Sequence, residues 1–217
     1  MIVEINGIIA ERLKERDIEL VRQWRNSDNI RKNMLYQEII TPEQQKEWFH
    51  TINNFNNFYF IVHHKNEKVG LVNIKEIDWK ERSGEAGIFM IKRDLTASLL
   101  PLVGAVSLSE LVVDVFGMKK LYAKVRKNNK TMRKLNQIFG YKMVSGYEDK
   151  EYDLFYITAD SFNKSAKKWI LLINSMGFDT GKMRIILEPE DYLNDFGEKM
   201  ENDLFPPCMN CLRVLPS

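Results

Sequence analysis

KVGLVNIKEID (68–78) and GEAGIFMI (84–91), followed at once by KRDLTASLLPLVGA (92–105), decide how this chain folds. The first two are runs of apolar and β-branched residues with strand character. The first of them follows another such run, FYFIVHH (58–64), across Lys65-Asn66-Glu67, a link short and polar enough for a hairpin turn. The third stretch opens an apolar segment from Leu99 to Phe116, long enough for a buried helix, and Gly117 is placed to end it. Three antiparallel strands thus run into a helix through a turn, at the place where a phosphate-binding loop sits. The segment before Gly104 has no glycine, so phosphate binding there would depend on backbone N–H groups in a turn that avoids positive φ.

Working outward, IIAERL (8–13) has strand character, and Asp17 precedes Ile18, Val21 and Trp24 at helical spacing, which predicts a strand and then an N-capped helix. Thr41-Pro42-Glu43-Gln44 combines a capping threonine, a proline at the first helical position and a glutamine at the third, ahead of Trp48 and Phe49. That pattern predicts a capping box and a second helix. Downstream, LYAKV (121–125) alternates as a strand, and Asn129 can cap a helix whose Met132, Leu135, Ile138 and Phe139 form one stripe ended by Gly140. YKMVSGYEDKEYDLFYIT (141–158) adds two strands around Glu148-Asp149-Lys150. The order predicts an α/β or α+β fold, a mixed and largely antiparallel sheet flanked by helices, over residues 1–163. SFNKSAKKWILLINSMGF (161–178) suits an amphipathic helix and MRIILEP (183–189) a short strand, so 164–217 is expected to be a C-terminal accessory segment.

Composition narrows the function. The chain has 217 residues, a net charge of +2 and 44% hydrophobic residues, which excludes disorder and wholesale nucleic-acid binding. MIVEINGIIAERLKERD carries charge from residue 4 onward, unlike a secretory signal or a membrane span, so a cytoplasmic protein without membrane association is expected. Cys208 and Cys211 form half of a usual zinc site, with His50, His63 and His64 far away in sequence, so no metal is expected. His63 and His64 are adjacent on a strand, so only one can face a given side. Between Asp114 and Glu148 there is no acidic residue, whereas Lys119, Lys120, Lys124, Arg126, Lys127, Lys130, Arg133 and Lys134 are basic. This run suits either an anionic ligand or a solvated helix face.

Taken with their order, LVRQWRNSDNIRKNM (20–34), KVGLVNIKEIDWKERSGEAGIFM (68–90) and KKLYAKVRKNNKTMRKLNQIFGY (119–141) resemble the GNAT superfamily of N-acetyltransferases. The likeness spans about residues 8–160 and is greatest to bacterial nucleotide-amino-sugar acetyltransferases and to the branch that acetylates N-termini of ribosomal proteins. The resemblance implies two neighbouring strands that splay apart, with the pantetheine arm of acetyl-CoA in the gap. It puts the backbone of Phe89, Met90 and Ile91 along that arm and a backbone N–H near Met90 on the thioester carbonyl. It puts the pyrophosphate on the turn that starts at Arg93 and runs through Thr96, Ala97, Ser98 and Leu99, with Asn129 in the same cofactor set. A second register, three residues later, would place Leu99 and Pro101 where the family carries glycines. The register from Arg93 is preferred because Ser98 is a good helix cap and Pro101 then falls in the first turn.

The same resemblance places Glu85 as a base acting through water, beside its reading as a salt-bridge partner. Asn136 occupies the position of the family's acid tyrosine. Asparagine can hydrogen-bond sulfur but gives up no proton, which leaves Tyr141 and Tyr122 as other candidates. Contacts to the acceptor fall to Trp24, Arg25, Asn26, Arg31, Tyr36, Asn73, Asp78 and Trp79, and guanidinium forks at Arg25 and Arg31 would match a nucleotide-sugar diphosphate. The expected activity is acetyl-CoA-dependent N-acetylation of a small-molecule primary amine, foremost an amino sugar on a nucleotide carrier. A protein N-terminus or another small amine as acceptor stays open, and so does a non-catalytic binding module, given the missing glycines and tyrosine. A homodimer is compatible with the chain.

Overall fold

The computed structural model describes residues 1–91, 100–192, 196–200 and 211–214. The chain starts with a hairpin of β1 (Ile2–Ile5) and β2 (Ile8–Arg12), turned at Asn6 and Gly7, whose φ angles are 51° and 71°. Asn-Gly is a favoured pair for a two-residue hairpin because both positions need positive φ. Helix α1 (Ile18–Asn26) follows, then the single turn α2 (Asp28–Arg31) and α3 (Pro42–Ile52). The capping box expected at α3 is present: Gln44 N–H donates to Thr41 Oγ1 at 3.2 Å, and Thr41 N–H donates to Gln44 Oε1 at 2.9 Å. The cap expected at Asp17 is absent. Its carboxylate is buried and accepts instead from Lys68 Nζ at 2.6 Å, an ion pair that outcompetes a local backbone bond.

Strands β3 (Phe58–His64) and β4 (Glu67–Asp78) form the central hairpin, turned at Lys65 and Asn66, and β5 (Ser83–Met90) completes the meander. Helix α4 (Leu100–Glu110) runs on through a π-helical turn at Leu111–Val115 to Gly117 at φ 65°. It crosses over to β6 (Lys120–Arg126), which lies parallel to β5, as a connection of that length permits. Helix α5 (Lys130–Phe139) is capped by the Asn129 side chain, which accepts from Met132 N–H, and is closed by Gly140 at φ 90°. Then come β7 (Lys142–Met143), β8 (Tyr152–Thr158), α6 (Ala159–Ser175), β9 (Met183–Ile186), the short helix Phe196–Lys199 and β10 (Cys211–Val214).

Among the described residues one sheet takes the order β10-β9-β1-β2-β3-β4-β5-β6-β8-β7. It is antiparallel except at β5 with β6 and at β9 with β10. The main core fills the side under α4 and α6, around Phe58, Phe60, Val103, Phe116, Leu121 and Ile157. A smaller core of Leu13, Val21, Phe49, Ile61 and Leu71 lies on the opposite side, under α1 and α3. The segment after residue 163 shares the main core. Phe162, Ala166, Trp169 and Ile173 of α6 are buried at helical spacing, and β9 pairs with β1 and buries Ile185.

Candidate active site

The site begins where the sheet comes apart. Strands β5 and β6 are paired only at Ser83↔Lys120, Gly84↔Leu121 and Glu85↔Tyr122, although β5 continues to Met90 and β6 to Arg126. On its other side β5 stays bonded to β4, with Leu71↔Phe89, Asn73↔Gly87 and Lys75↔Glu85 in register, and Ile91 N–H donates to Val69 O at 3.0 Å. That register commits the backbone of Glu85, Gly87, Phe89 and Ile91 to β4, so the N–H and C=O groups of Ala86, Ile88 and Met90 face the gap. Of the three strand residues expected to lie along a cofactor arm, Met90 alone has its backbone on the open edge. Ile88 and Ala86 join it there.

The gap is part of a cleft of ≈ 370 Å³. On the α4 and α5 side its walls include Leu108, Ser109, Met132, Asn136, Phe139 and Tyr141. Asn136 is buried and its Nδ2 has no hydrogen-bond partner. Burial pushes the Tyr141 phenol well above the ordinary range, against a smaller opposing effect of Ser109. These buried amide and hydroxyl groups, together with the open strand edge, form a polar seam in an otherwise apolar slot. The seam fits the amide-bearing arm and sulfur of a coenzyme A ester.

On the other side, cross-strand rows build the floor. At the apex of the gap Glu85 of β5 holds Lys75, its register partner on β4, and Lys124 of β6, two residues beyond its partner Tyr122: Lys75 Nζ lies 3.1 Å from Glu85 Oε1, and Lys124 Nζ lies 2.6 Å from Glu85 Oε2. The hydrogen bond to Glu85 raises the Lys124 ammonium. Lys75 is also raised, because its bonds to Glu76 and Glu85 outweigh the opposing effect of burial. The next row is Tyr59, Asn73 and Gly87. A Cβ on Gly87 would come within 2.6 Å of Asn73 Oδ1, so glycine is what lets the Asn73 amide lie over β5. Burial pushes the Tyr59 phenol up to about 12, and Trp48 meets that ring edge-on at 5.1 Å. Arg25 of α1 and residues 33–36 complete this half.

Arg25 has a buried Nε with no hydrogen-bond partner, and no carboxylate pairs with it among the described residues. Burial lowers its pKa. Among the described residues the charged ones of the cleft are Arg25, Lys75, Lys124 and Glu85, three cations against one carboxylate.

The structure therefore gathers Glu85, Asn136, Tyr141, Phe89, Asn129, Arg25, Tyr36 and Asn73 around one cavity. It does not bring the other expected residues there. Trp24 lies behind the wall, edge-on to Phe89 at 6.3 Å. Asn26 clamps the following loop, donating to Ile40 O at 2.8 Å and accepting from Ile40 N–H at 2.9 Å. Arg31 pairs with Asp28 at 2.7 Å. Trp79 stacks on Phe55 at 4.9 Å and donates to Asn56, and Asp78 caps its own turn through Lys80 and Glu81 N–H. Tyr122 lies with Lys119 and Lys120 in a separate depression. His63 faces Glu11 at 3.3 Å, away from the cleft. Arg93, Thr96, Ala97, Ser98 and Leu99 lie outside the described residues.

Tyr59, Trp48, Lys75 and Met132 line the cleft although sequence reasoning gave them no site role, and Lys124 lines it after being named only within a basic run. Once a register is known, the alternation of FYFIVHH and KVGLVNIKEID is the signal that puts Tyr59 and Lys75 on one face.

A sheet opened between two parallel strands, with a helix below the gap and a polar cleft through it, defines the architecture of an acyl-coenzyme A transferase. The chain belongs to the acetyltransferase (GNAT) domain family, whose model matches residues 8–142. No match to this chain is found among the curated proteins. Solved structures that resemble it include FdhC, described as a nucleotide-linked sugar GNAT (18% identity, TM-score 0.65, 78% of this chain and 96% of that one). They also include the spermidine N-acetyltransferase of Vibrio cholerae in complex with CoA and spermine (17%, 0.61, 72% and 98%). A third is RimL, a ribosomal L7/L12 α-N-protein acetyltransferase, in complex with CoA (10%, 0.62, 74% and 99%). At these identities the likeness is one of fold. No helix among the described residues is long and apolar enough to cross a membrane.

Proposed function

We propose that this chain is an acetyl-CoA-dependent N-acetyltransferase whose acceptor is a primary amine on a small anionic molecule, foremost an amino sugar on a nucleotide carrier. The observation that carries this reading is the charge of the acceptor half: among the described residues Arg25, Lys75 and Lys124 face a single carboxylate, Glu85. Such a lining repels a polyamine and attracts phosphate. The fold likeness extends alike to FdhC, a nucleotide-linked sugar GNAT, and to a spermidine N-acetyltransferase, so it is the charge that favours the nucleotide sugar. Acetyl-CoA, when bound, supplies the acyl group. The open edge at Ile88 and Met90 would hold its arm, and Met90 N–H would polarise the carbonyl.

Arg25 would bind the acceptor's phosphate, while Asn73 and Tyr36 would orient the sugar. The paired lysines disfavour the ammonium form of an amine placed beside them and so help to present a neutral nucleophile. Glu85, with both oxygens in ion pairs, serves in this reading to hold those lysines rather than to take the proton itself. Glu85→Gln is then expected to lower kcat less than about tenfold, whereas loss of a general base costs ~10²–10⁴-fold. Its pH–rate profile should keep the acid limb that a catalytic carboxylate would remove.

The reading as a whole is tested by following release of CoA thiol with UDP-glucosamine, spermidine and a peptide with a free N-terminus, after calorimetric titration of acetyl-CoA. Turnover with the nucleotide sugar and none with spermidine is expected. Preference for spermidine, or no heat with acetyl-CoA from folded protein, would sink it.

A further inference from the structure

We propose that Tyr59 is a phosphate-binding residue of the acceptor half, its phenol O–H gripping one phosphate group of the acceptor together with the Arg25 guanidinium. The inference rests on the nucleotide-sugar reading above and deepens it.

Three observations carry it, of which the first is placement. Side chains alternate along β3, so that Phe58 and Phe60 enter the main core while Tyr59 and Ile61 belong to the opposite face. There Tyr59 lines the cleft beside Asn73, its register partner on β4, and Gly87, the partner of Asn73 on β5. Trp48 meets the Tyr59 ring edge-on at 5.1 Å and so holds it from the side of α3.

The second observation is that this phenol has a proton to give and no recipient for it. Among the described residues its hydroxyl makes no hydrogen bond. Burial pushes it up to about 12, so it stays an O–H donor throughout the neutral range. A partly buried donor that the fold leaves unmatched, on the wall of a cleft, is a place for an acceptor atom of the ligand. Third, charge decides which atom that is. Lys75 and Arg25 act on the phenol more strongly than Glu85 and Glu76 do. Lys75 is itself held by Glu76 and Glu85, whereas Arg25 keeps a buried Nε without a partner and no carboxylate pairs with it among the described residues. A neutral O–H beside an unmatched guanidinium suits a phosphate, whose several oxygens accept from both, and the guanidinium repels an ammonium placed there.

The probe is UDP, titrated calorimetrically into the full chain saturated with acetyl-CoA, so that the coenzyme's own phosphate sites are filled. UDP is expected to bind. Tyr59→Phe, which keeps the ring and its contact with Trp48, should weaken UDP by roughly 10- to 100-fold and leave acetyl-CoA affinity and the melting temperature as they were. With UDP-glucosamine as acceptor the loss should fall on KM, with kcat changed by less than about twofold, as expected for binding shared by ground and transition states. Unchanged UDP affinity in Tyr59→Phe, or an equal loss of acetyl-CoA affinity, would overturn the proposal. UDP that binds only without acetyl-CoA would put the phosphate in the coenzyme's site and overturn it as well. Spermidine turnover with no binding of UDP would mean that the nucleotide-sugar reading itself has failed, whereas UDP binding that ignores Tyr59 fails this inference alone.

Discussion

Gly70→Ala is expected to destabilise the fold by about 3 kcal/mol, at the upper end of what overpacking costs. A Cβ on Gly70 would stand 2.3 Å from Phe89 O and 3.0 Å from Met90 Cα. Both are backbone atoms of β5, so no rotamer change relieves the clash. The strands must part or slide at the point where β4 holds the open edge of the cleft. Gly87→Ala is the informative contrast. Its Cβ would meet the end of a side chain, Asn73 Oδ1, at 2.6 Å, and Asn73 can swing aside. Urea unfolding should therefore show a large loss at Gly70 and a small one at Gly87, while Gly87→Ala disturbs the acceptor half. A loss below ~0.5 kcal/mol at Gly70 would mean that the two strands are less closely apposed there than described.

What was legible in the sequence follows the range over which each signal acts. The capping box at Thr41 and Gln44 and the Asn129 cap of α5 are local, and both are present as expected. The Asp17 cap failed because Lys68, in a strand 51 positions away, took the carboxylate. The first hairpin strand was passed over, although Asn6-Gly7 between IVEI and IIAE is the kind of short-range signal that marks one. The pairing of β9 with β1 joins Ile2 to Ile186, and nothing in either segment encodes that distance.

The site shows the same division. Glu85 and Asn136, proposed from family position, both line the cleft, but the Lys75–Glu85–Lys124 ion pairs depend on how three strands are set against one another. Conversely, Trp79 and Arg31 had the chemistry for a site, and packing on Phe55 and pairing with Asp28 placed them elsewhere.

Arg25 supplies the sharpest test, because its functional and structural roles predict opposite signs. Taking a guanidinium out of water without an anion is costly, and here burial lowers its pKa while no carboxylate among the described residues compensates. Arg25→Gln should therefore leave the free protein as stable as before, or raise its melting temperature. If the missing partner is the acceptor's phosphate, the same change removes a charge-assisted hydrogen bond worth about 3 kcal/mol in the complex. That corresponds to a fall of roughly 150-fold in kcat/KM for UDP-glucosamine, with acetyl-CoA affinity unchanged. Loss of stability with full activity would make Arg25 a structural residue whose partner is the protein itself. A more stable and less active variant would put the partner of Arg25 in the acceptor, since no carboxylate pairs with it among the described residues.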